Sequence, residues 1–507
     1  MALAACVPAT PTPTPEIKGT GGEFRVVPAG EPATLNPNLR ADDNAFAIAQ
    51  NVYNKLVTLD ADYRIIPDLA TSWQVADDGL TYTFHLVKNV KWHDGQPLTA
   101  ADVKWTLEAI AQQKGFAQEL AQRIAAIDTP DATTVIVRLK AVWSPFLGTL
   151  AWYGTFILPR HLYAGGDWNV APANLQPVGT GPFKFVEWVK GDHITLAANT
   201  AYFGQGPYLS RVTFRFFKEA LDLNQLLAKG EVDYLLARPA NDRIAELQRT
   251  PGVQTRLFAH PARYYLGFNL RRKPFDDVRV RRALNQALDR DVLVRRALAG
   301  YGAPGMGFYT PAVAWAYNPK ATVPAFDTAS AARLLGEAGL APDANGVRAK
   351  WTLVVSNVAV FADLTAETAR QLRAVGIELT PVLLPAAEWT KRVFQDRDFD
   401  IALTNGSHGP DPENLNTRLG SNSSYQFMGY VSAEFDAVMA EGASKTKLDE
   451  RAQAYFRAQE ILARDLPIAP LAEFVQFIPY RDGITGLPQV EARGLVTFNN
   501  YALVRKK

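Results

Sequence analysis

Cysteine is almost missing from this chain. Its 507 residues contain one, Cys6, so neither a disulfide nor a cysteine-based zinc site can form within one chain. Long apolar runs are missing too. No stretch offers the roughly 18 unbroken apolar residues that a spanning helix needs. Charge of one sign does not accumulate: 53 basic and 51 acidic residues are well mixed and leave a net charge of +2. With no basic stripe and no acidic tail, no nucleic-acid partner is expected. There is no internal repeat. Catalytic signatures are also absent: no G-x-S-x-G, P-loop, H-E-x-x-H or cysteine pair. The run Gly179-Thr-Gly-Pro-Phe183 lacks the third glycine and the strand-to-helix setting of a dinucleotide fingerprint. An enzyme is therefore not expected, and neither is a cofactor, a catalytic residue or a resident metal.

What is present suits a large globular protein. Hydrophobic residues make up 48% and charged residues 21% of the chain, enough for a sizeable core in about three units of ~150 residues. There are 10 Trp, 18 Tyr and 26 Phe. Most belong in the core, but such a surplus also suits stacking on ligands.

The single cysteine closes the stretch Leu3-Ala-Ala-Cys6, followed by the Pro/Thr-rich run 7–16. Leucine, two small residues and cysteine match a bacterial lipobox, in which the cysteine is lipidated and becomes the mature N-terminus. Residues 1–21 therefore read as a lipobox remnant and a stiff, extended tether. They predict a lipid-anchored protein whose body lies outside the cytoplasmic membrane.

Ordered structure is expected from about Gly22. The pattern predicts a strand at Glu23–Val27, a helix over 41–56 and a hairpin turning at Asp78-Gly79. A helix opens after Thr99, with Asp102 three residues on as in a capping box. A second hairpin turns at Lys190-Gly191-Asp192. From 211 onward strands alternate with helices, ending in a β-α-β-α-β series whose last strand is Phe399–Thr404. Such alternation implies an α/β design with helices packed on a sheet. A long amphipathic helix is expected over 447–462, then a β-rich tail.

Two polar stretches invite a chemical reading. Trp92-His93-Asp94-Gly95 sets histidine beside aspartate, but neighbours on an extended chain point to opposite faces, so a turn is expected rather than a dyad. Thr404-Asn-Gly-Ser-His-Gly-Pro-Asp-Pro-Glu-Asn-Leu415 reads as a loop beyond a strand end, where open α/β sheets bind ligands. Its prolines and acid spacing do not fit a calcium loop. One histidine and two acids make at most a weak metal site.

Several blocks in order resemble family 5 of the extracytoplasmic solute-binding proteins of ABC transporters, the dipeptide-, oligopeptide- and nickel-binding type. They are Pro67–Leu107, the run PVGTGPFKFVEW from Pro177, LGFNLRRKPFDDVRVRRALNQALDRDVLV from Leu266, ARLLGEAGL from Ala332, LRAVGIELT from Leu372, DFDIAL from Asp398 and RAQEILARDLPIAPL from Arg457. The resemblance implies an α/β, two-lobed periplasmic-binding-protein fold of the large cluster-C type, with a ligand cleft between the lobes. It implies lobe I over 22–265 with an extra subdomain at roughly 45–178, lobe II over 266–474, and a return to lobe I over 475–507. Arg263–Leu270 and Glu473–Tyr480 match the two crossings. Closure would bury the ligand and present the closed form to the transporter.

Implied partners are a small-molecule or peptide ligand, an ABC permease with its cytoplasmic ATPase, and the membrane through the anchor. The protein itself is expected to be a monomer. Peptide-binding members hold the ligand's ammonium with an Asp three residues before a D-P pair. Here the pair is Asp411-Pro412 and His408 stands at that position. A neutral imidazole is a poor partner for a buried ammonium, which leaves the ligand open between peptide, oligosaccharide and metal chelate. Asn405, Gly406, Ser407, His408 and Asp411 are the loop candidates. Asn36, Trp152, Tyr153, Tyr264 and Trp389 follow by position, and Tyr425 more weakly. A solute sensor docking on a membrane receptor is the reading from another functional class.

Overall fold

The computed structural model describes residues 18–507, apart from 41, 61–62, 218–221, 237–238, 240, 408, 410, 424 and 488–499. One large sheet runs through the molecule. Its ten-strand path begins with Ile377–Leu384, Ala349–Ser356 and Ile401–Ser407, passes through Val253–Phe268 and Ile468–Arg481, and continues into Tyr234–Leu235, Glu23–Val27, Arg211–Arg215, His193–Ala198 and Phe183–Val189. The two long central strands pair antiparallel from Val253↔Arg481 to Gly267↔Ile468, with irregularities near residues 259–265. One end of Val253–Phe268 pairs with Ile401–Ser407, while Ile468–Arg481 reaches Tyr234–Leu235 near its far end. These two strands therefore join one half of the sheet to the other.

The cores divide in the same way. One buried cluster gathers Phe24, Phe46, Tyr53, Phe84, Trp168, Phe214 and Tyr501. Two others gather Tyr264, Phe268, Leu353 and Leu403, and Tyr309, Trp389, Phe427 and Tyr455. The first body carries a separate four-stranded antiparallel sheet, in the order Ala70–Val75, Thr81–Leu86, Thr134–Leu139, Ile124–Asp131. The hairpin expected at 78–79 is its first pair, and Ala100–Gln112 packs behind it with Thr99 N donating to the Asp102 carboxylate at 2.9 Å.

The helix expected over 41–56 is shorter, Asp43–Val52. Asp42 caps it by accepting from Asn44 N and Ala45 N, and Tyr53 is already extended. The reason for the early end lies in the Gly-Thr-Gly run. Gly181 N donates to Val52 O at 2.8 Å, which satisfies a carbonyl at the helix end. A Cβ on Gly179 would sit 1.8 Å from the same oxygen, so only glycine fits there. His93 completes this staple. Its backbone N donates to Gly179 O, Gly179 N donates to its Nδ1 at 3.2 Å, and its Nε2 donates to Gly181 O at 3.0 Å. Burial lowers this imidazole to about 4. The expected turn is present, since Gly95 N donates to Trp92 O. Asp94 meets not His93 but His161, at 2.6 Å.

The stretch 404–415 differs from the loop expected of it. Thr404 to Ser407 complete the strand Ile401–Ser407, and Glu413 begins the helix Glu413–Leu419. Strand pairing to Ala262–Tyr265 holds the first part extended.

Candidate functional site

A cavity of about 680 Å³ lies between the two bodies of the molecule. Its back is formed by the long strands, through Ala262, Phe474 and Gln476. On the other side the bodies touch. Ser144 N donates to Ala443 O at 2.8 Å. Gly148 approaches Asp411 so closely that an added Cβ would sit 3.6 Å from Asp411 Cβ.

The first body's wall is aromatic. Trp152 lies 4.9 Å from Tyr153, Tyr153 stacks on Phe46 at 4.0 Å, and Phe46 lies 6.3 Å from Phe116. Trp152, Tyr153 and Phe116 face the cavity, and Trp143 joins them under the Arg123 guanidinium at 4.5 Å. The first turn of Asp43–Val52 adds Asp43, Asn44 and Ala47. Enclosure by surrounding protein, with Asp42 beside it, raises the Asp43 carboxyl; a hydrogen bond with Tyr153 works the other way.

The second body's wall is polar and comes mainly from 405–418: Asn405, Gly406, Asp411, Glu413, Asn414 and Arg418. Asp411 is buried and already partnered. Its Oδ2 accepts from Arg451 Nη2 at 2.6 Å and its Oδ1 from Glu413 N at 3.1 Å. Arg451 also donates to Gly442 O and to the Tyr455 hydroxyl, and lies 5.2 Å from the Trp315 ring. Burial opposes this cation, but Asp411 and Tyr455 together outweigh it and hold the guanidinium above its ordinary range. Glu413 is different. Its Oε1 accepts from Asn416 Nδ2 at 3.0 Å, whereas its Oε2 is buried with no hydrogen-bond partner among the described residues. Burial pushes this carboxyl up to about 7; Asp411 adds to the rise, while Asn416, Arg123 and Arg451 oppose it.

Of the residues singled out from sequence, the structure gathers Asn405, Gly406, Asp411, Trp152, Tyr153 and Tyr425 around this cavity. Three others lie elsewhere. Asn36 is 1% exposed and its Oδ1 accepts from Asn38 N at 3.0 Å, so it shapes a turn. Tyr264 is buried between Phe361 and Phe474 in the second body's core. Trp389 donates from Nε1 to Val354 O at 3.3 Å and packs on Phe394 and Phe427. In each case the demand for core packing decides the position. His408 and Cys6 lie outside the described residues, as does the side chain of Ser407. Sequence reasoning missed Asp43, Phe116, Trp143, Phe474 and Arg418. It weighed Glu413 only as a metal ligand. Among the described residues no group of three or more His, Cys, Asp or Glu could hold a metal ion.

Two lobes joined by paired crossing strands, with a mixed aromatic and polar cavity between them, define a cleft-binding protein. Residues 64–427 match the profile of "Bacterial extracellular solute-binding proteins, family 5 Middle". The chain belongs to that family, and its function is to bind a solute outside the cytoplasm. It is 30% identical to a Brucella ovis protein provisionally assigned as an ABC transporter peptide-binding protein, over 90% of this chain and 89% of that one. It is 28% identical to the oligopeptide-binding protein AppA of Bacillus subtilis, over 88% and 85%. The structure of that AppA with a nonapeptide superposes with a TM-score of 0.83, at 25% identity and 97% and 100% coverage. The ABC transporter substrate-binding protein CtaP of Listeria monocytogenes superposes with a TM-score of 0.86, at 26% identity and 96% and 99% coverage.

Proposed function

We propose that this chain is the binding component of an ABC importer and that it captures a short peptide between its lobes. The cavity carries this reading. Its volume of about 680 Å³ falls within the range that encloses a small organic ligand, and both lobes contribute to its wall. Aromatic faces on one side and amide, carboxyl and guanidinium groups on the other suit a chain of alternating apolar and polar groups. The AppA likeness supports a peptide over the oligosaccharide and chelate alternatives. The protein binds and releases its solute rather than turning it over. In this reading Asn405, Gly406, Trp152 and Tyr153 contact the ligand, and His408 stands as a further candidate on sequence grounds. Cys6 carries the lipid, so Cys6→Ser is expected to move the protein from the membrane fraction to the soluble one.

The lobes as they stand are apposed. The expected cycle is opening without ligand and closure around it. Small-angle scattering and thermal melts with a panel of short peptides, oligosaccharides and nickel–histidine test it. Peptides alone should compact the protein and stabilise it by about 2.7 kcal/mol at a hundredfold excess over Kd. Compaction only with sugars or the chelate would overturn the peptide assignment.

A further inference from the structure

Lys55 lies in lobe I just beyond the helix Asp43–Val52, and it is only 3% exposed. Lysine is almost never enclosed to this degree unless its charge is partnered. Its Nζ donates to Ala151 O at 2.7 Å, lies 3.4 Å from Trp152 O and sits 5.1 Å from the centre of the Phe156 ring. Both carbonyls directly follow the short helix Phe146–Leu150. Carbonyls at a helix C-terminus lack intrahelical donors, and the helix dipole favours a cation there. The same turn is fastened twice more. Ile157 N donates to Asn54 O at 2.9 Å, and the Thr155 hydroxyl donates to Leu150 O at 2.7 Å. Asp68 steadies Lys55 in turn, accepting from its backbone N at 2.7 Å and from Asn54 Nδ2 at 2.6 Å. Burial lowers the ammonium from its ordinary range, while the charge of Asp68 works the other way.

The turn held in this way carries Trp152 and Tyr153 into the cavity, whereas Lys55 stays behind the wall. Tyr153 stacks on Phe46 and lies beside Trp152, so a shift of the turn moves both rings. From this geometry we infer that Lys55 is a positioning residue of the cleft. It does not meet the ligand; its ammonium fixes the turn 151–153 so that the Trp152 and Tyr153 rings face a bound solute. The inference rests on the proposed contact of these rings with a peptide and adds what holds them. Ring faces that are to meet a ligand have no packing on that side until it arrives, so the constraint comes from the backbone beneath them. A charged donor suits this task, because its hydrogen bonds are about twice as strong as neutral ones.

The test is calorimetry on the full chain with tri-alanine and Ala-Phe-Ala. Lys55→Met keeps the length of the side chain and removes the ammonium. Lys55→Met with Asp68→Asn removes the opposing charge as well, and serves where the single variant fails to fold. Either should weaken both peptides by about tenfold. In a Trp152→Ala background the same change should weaken them by no more than about twofold, because the ring it positions is gone. A role confined to stability would give equal factors in both backgrounds. A second readout needs no ligand. The near-ultraviolet circular dichroism that separates wild type from Trp152→Ala reports an ordered Trp152 ring, and this difference should vanish once Lys55 is replaced. Equal factors, undiminished affinity or a retained dichroism difference overturns the role of Lys55 and leaves the peptide reading standing. No binding of either peptide by the wild-type protein overturns the peptide reading, and with it the contact on which this inference rests.

Discussion

The two walls of the cleft solve the same problem with different chemistry. On the lobe I side the centre of the wall is a row of rings, Trp152, Tyr153 and Phe116, backed by Phe46, with Asp43, Asn44, Glu119 and Arg123 beside it. On the lobe II side it is a strand end and a short helix carrying amides, acids and arginine, with Arg451 behind them. Rings bury apolar area without regard to a ligand's sequence. Placed charges and hydrogen bonds fix orientation and reject what cannot satisfy them. The division suggests that lobe I supplies general affinity and lobe II the selection.

Breaking the polar wall should have the largest effect, because its charge is held by one buried pair. Arg451→Met removes the counter-ion of Asp411 and leaves a buried carboxylate with only the Glu413 N–H to neutralise it. The expected loss is about 3–5 kcal/mol of stability, read by urea unfolding. Replacing both members, Asp411→Asn with Arg451→Met, should recover much of it. Equal losses in the single and double variants would mean that packing, not charge, explains the cost.

Lobe I encloses the His93 imidazole in its neutral form, so this part of it should answer to pH instead. In the unfolded chain a histidine takes a proton near 6.5, whereas native His93 resists until about 4. The unfolded state thus binds the extra proton first, and stability falls as pH drops from 6.5 towards 4. Between pH 6.5 and 5 the contribution is about 2 kcal/mol. His93→Gln should be less stable at pH 8 but flatter across that window. An unchanged slope would show that His93 is not the group responsible.

The aromatic wall is tested by Trp152→Ala. It should weaken every bound peptide by about tenfold, or about 1.4 kcal/mol, whatever its charge. A substitution in the polar wall, such as Arg418→Met, should by contrast change affinity unequally for peptides that differ in charge. If Trp152→Ala also alters the charge preference, the division of labour between the walls fails.

How much of this was legible beforehand differs between the walls too. The hairpin at 78–79, the helix after Thr99 and the strand–helix alternation from 211 to 407 are local patterns of period and punctuation, and the structure follows them. The stretch 404–415 was legible as a place but not as a shape, because its pairing with Ala262–Tyr265 is a contact of long sequence separation. Asn36, Tyr264 and Trp389 looked like cleft residues from position alone. Which face of a strand or helix a ring takes depends on neighbours such as Phe361 and Phe427, far along the chain. The same limit hid the partner of Asp411, forty residues on, and with it the contrast to Glu413.

The mildest test asks how rigid the polar wall is. Gly406 lies in the strand Ile401–Ser407, and a Cβ there would meet Arg418 Cζ and Nη1 at 2.6 Å. Its backbone is not in the left-handed region, so alanine fits the chain and only the guanidinium must yield. Arginine ends in a long flexible stem and can move at small cost. Gly406→Ala should therefore change unfolding free energy by no more than about 0.5 kcal/mol. Because Arg418 also lines the cavity, its displacement should shift peptide affinity by about threefold, with the same peptides ranked differently by charge. A large stability loss would mean that Arg418 is fixed by its other partners and that lobe II presents a rigid template. A small loss with a changed ranking would mean that selection on this wall is adjustable by one methyl group, which no substitution among the lobe I rings should achieve.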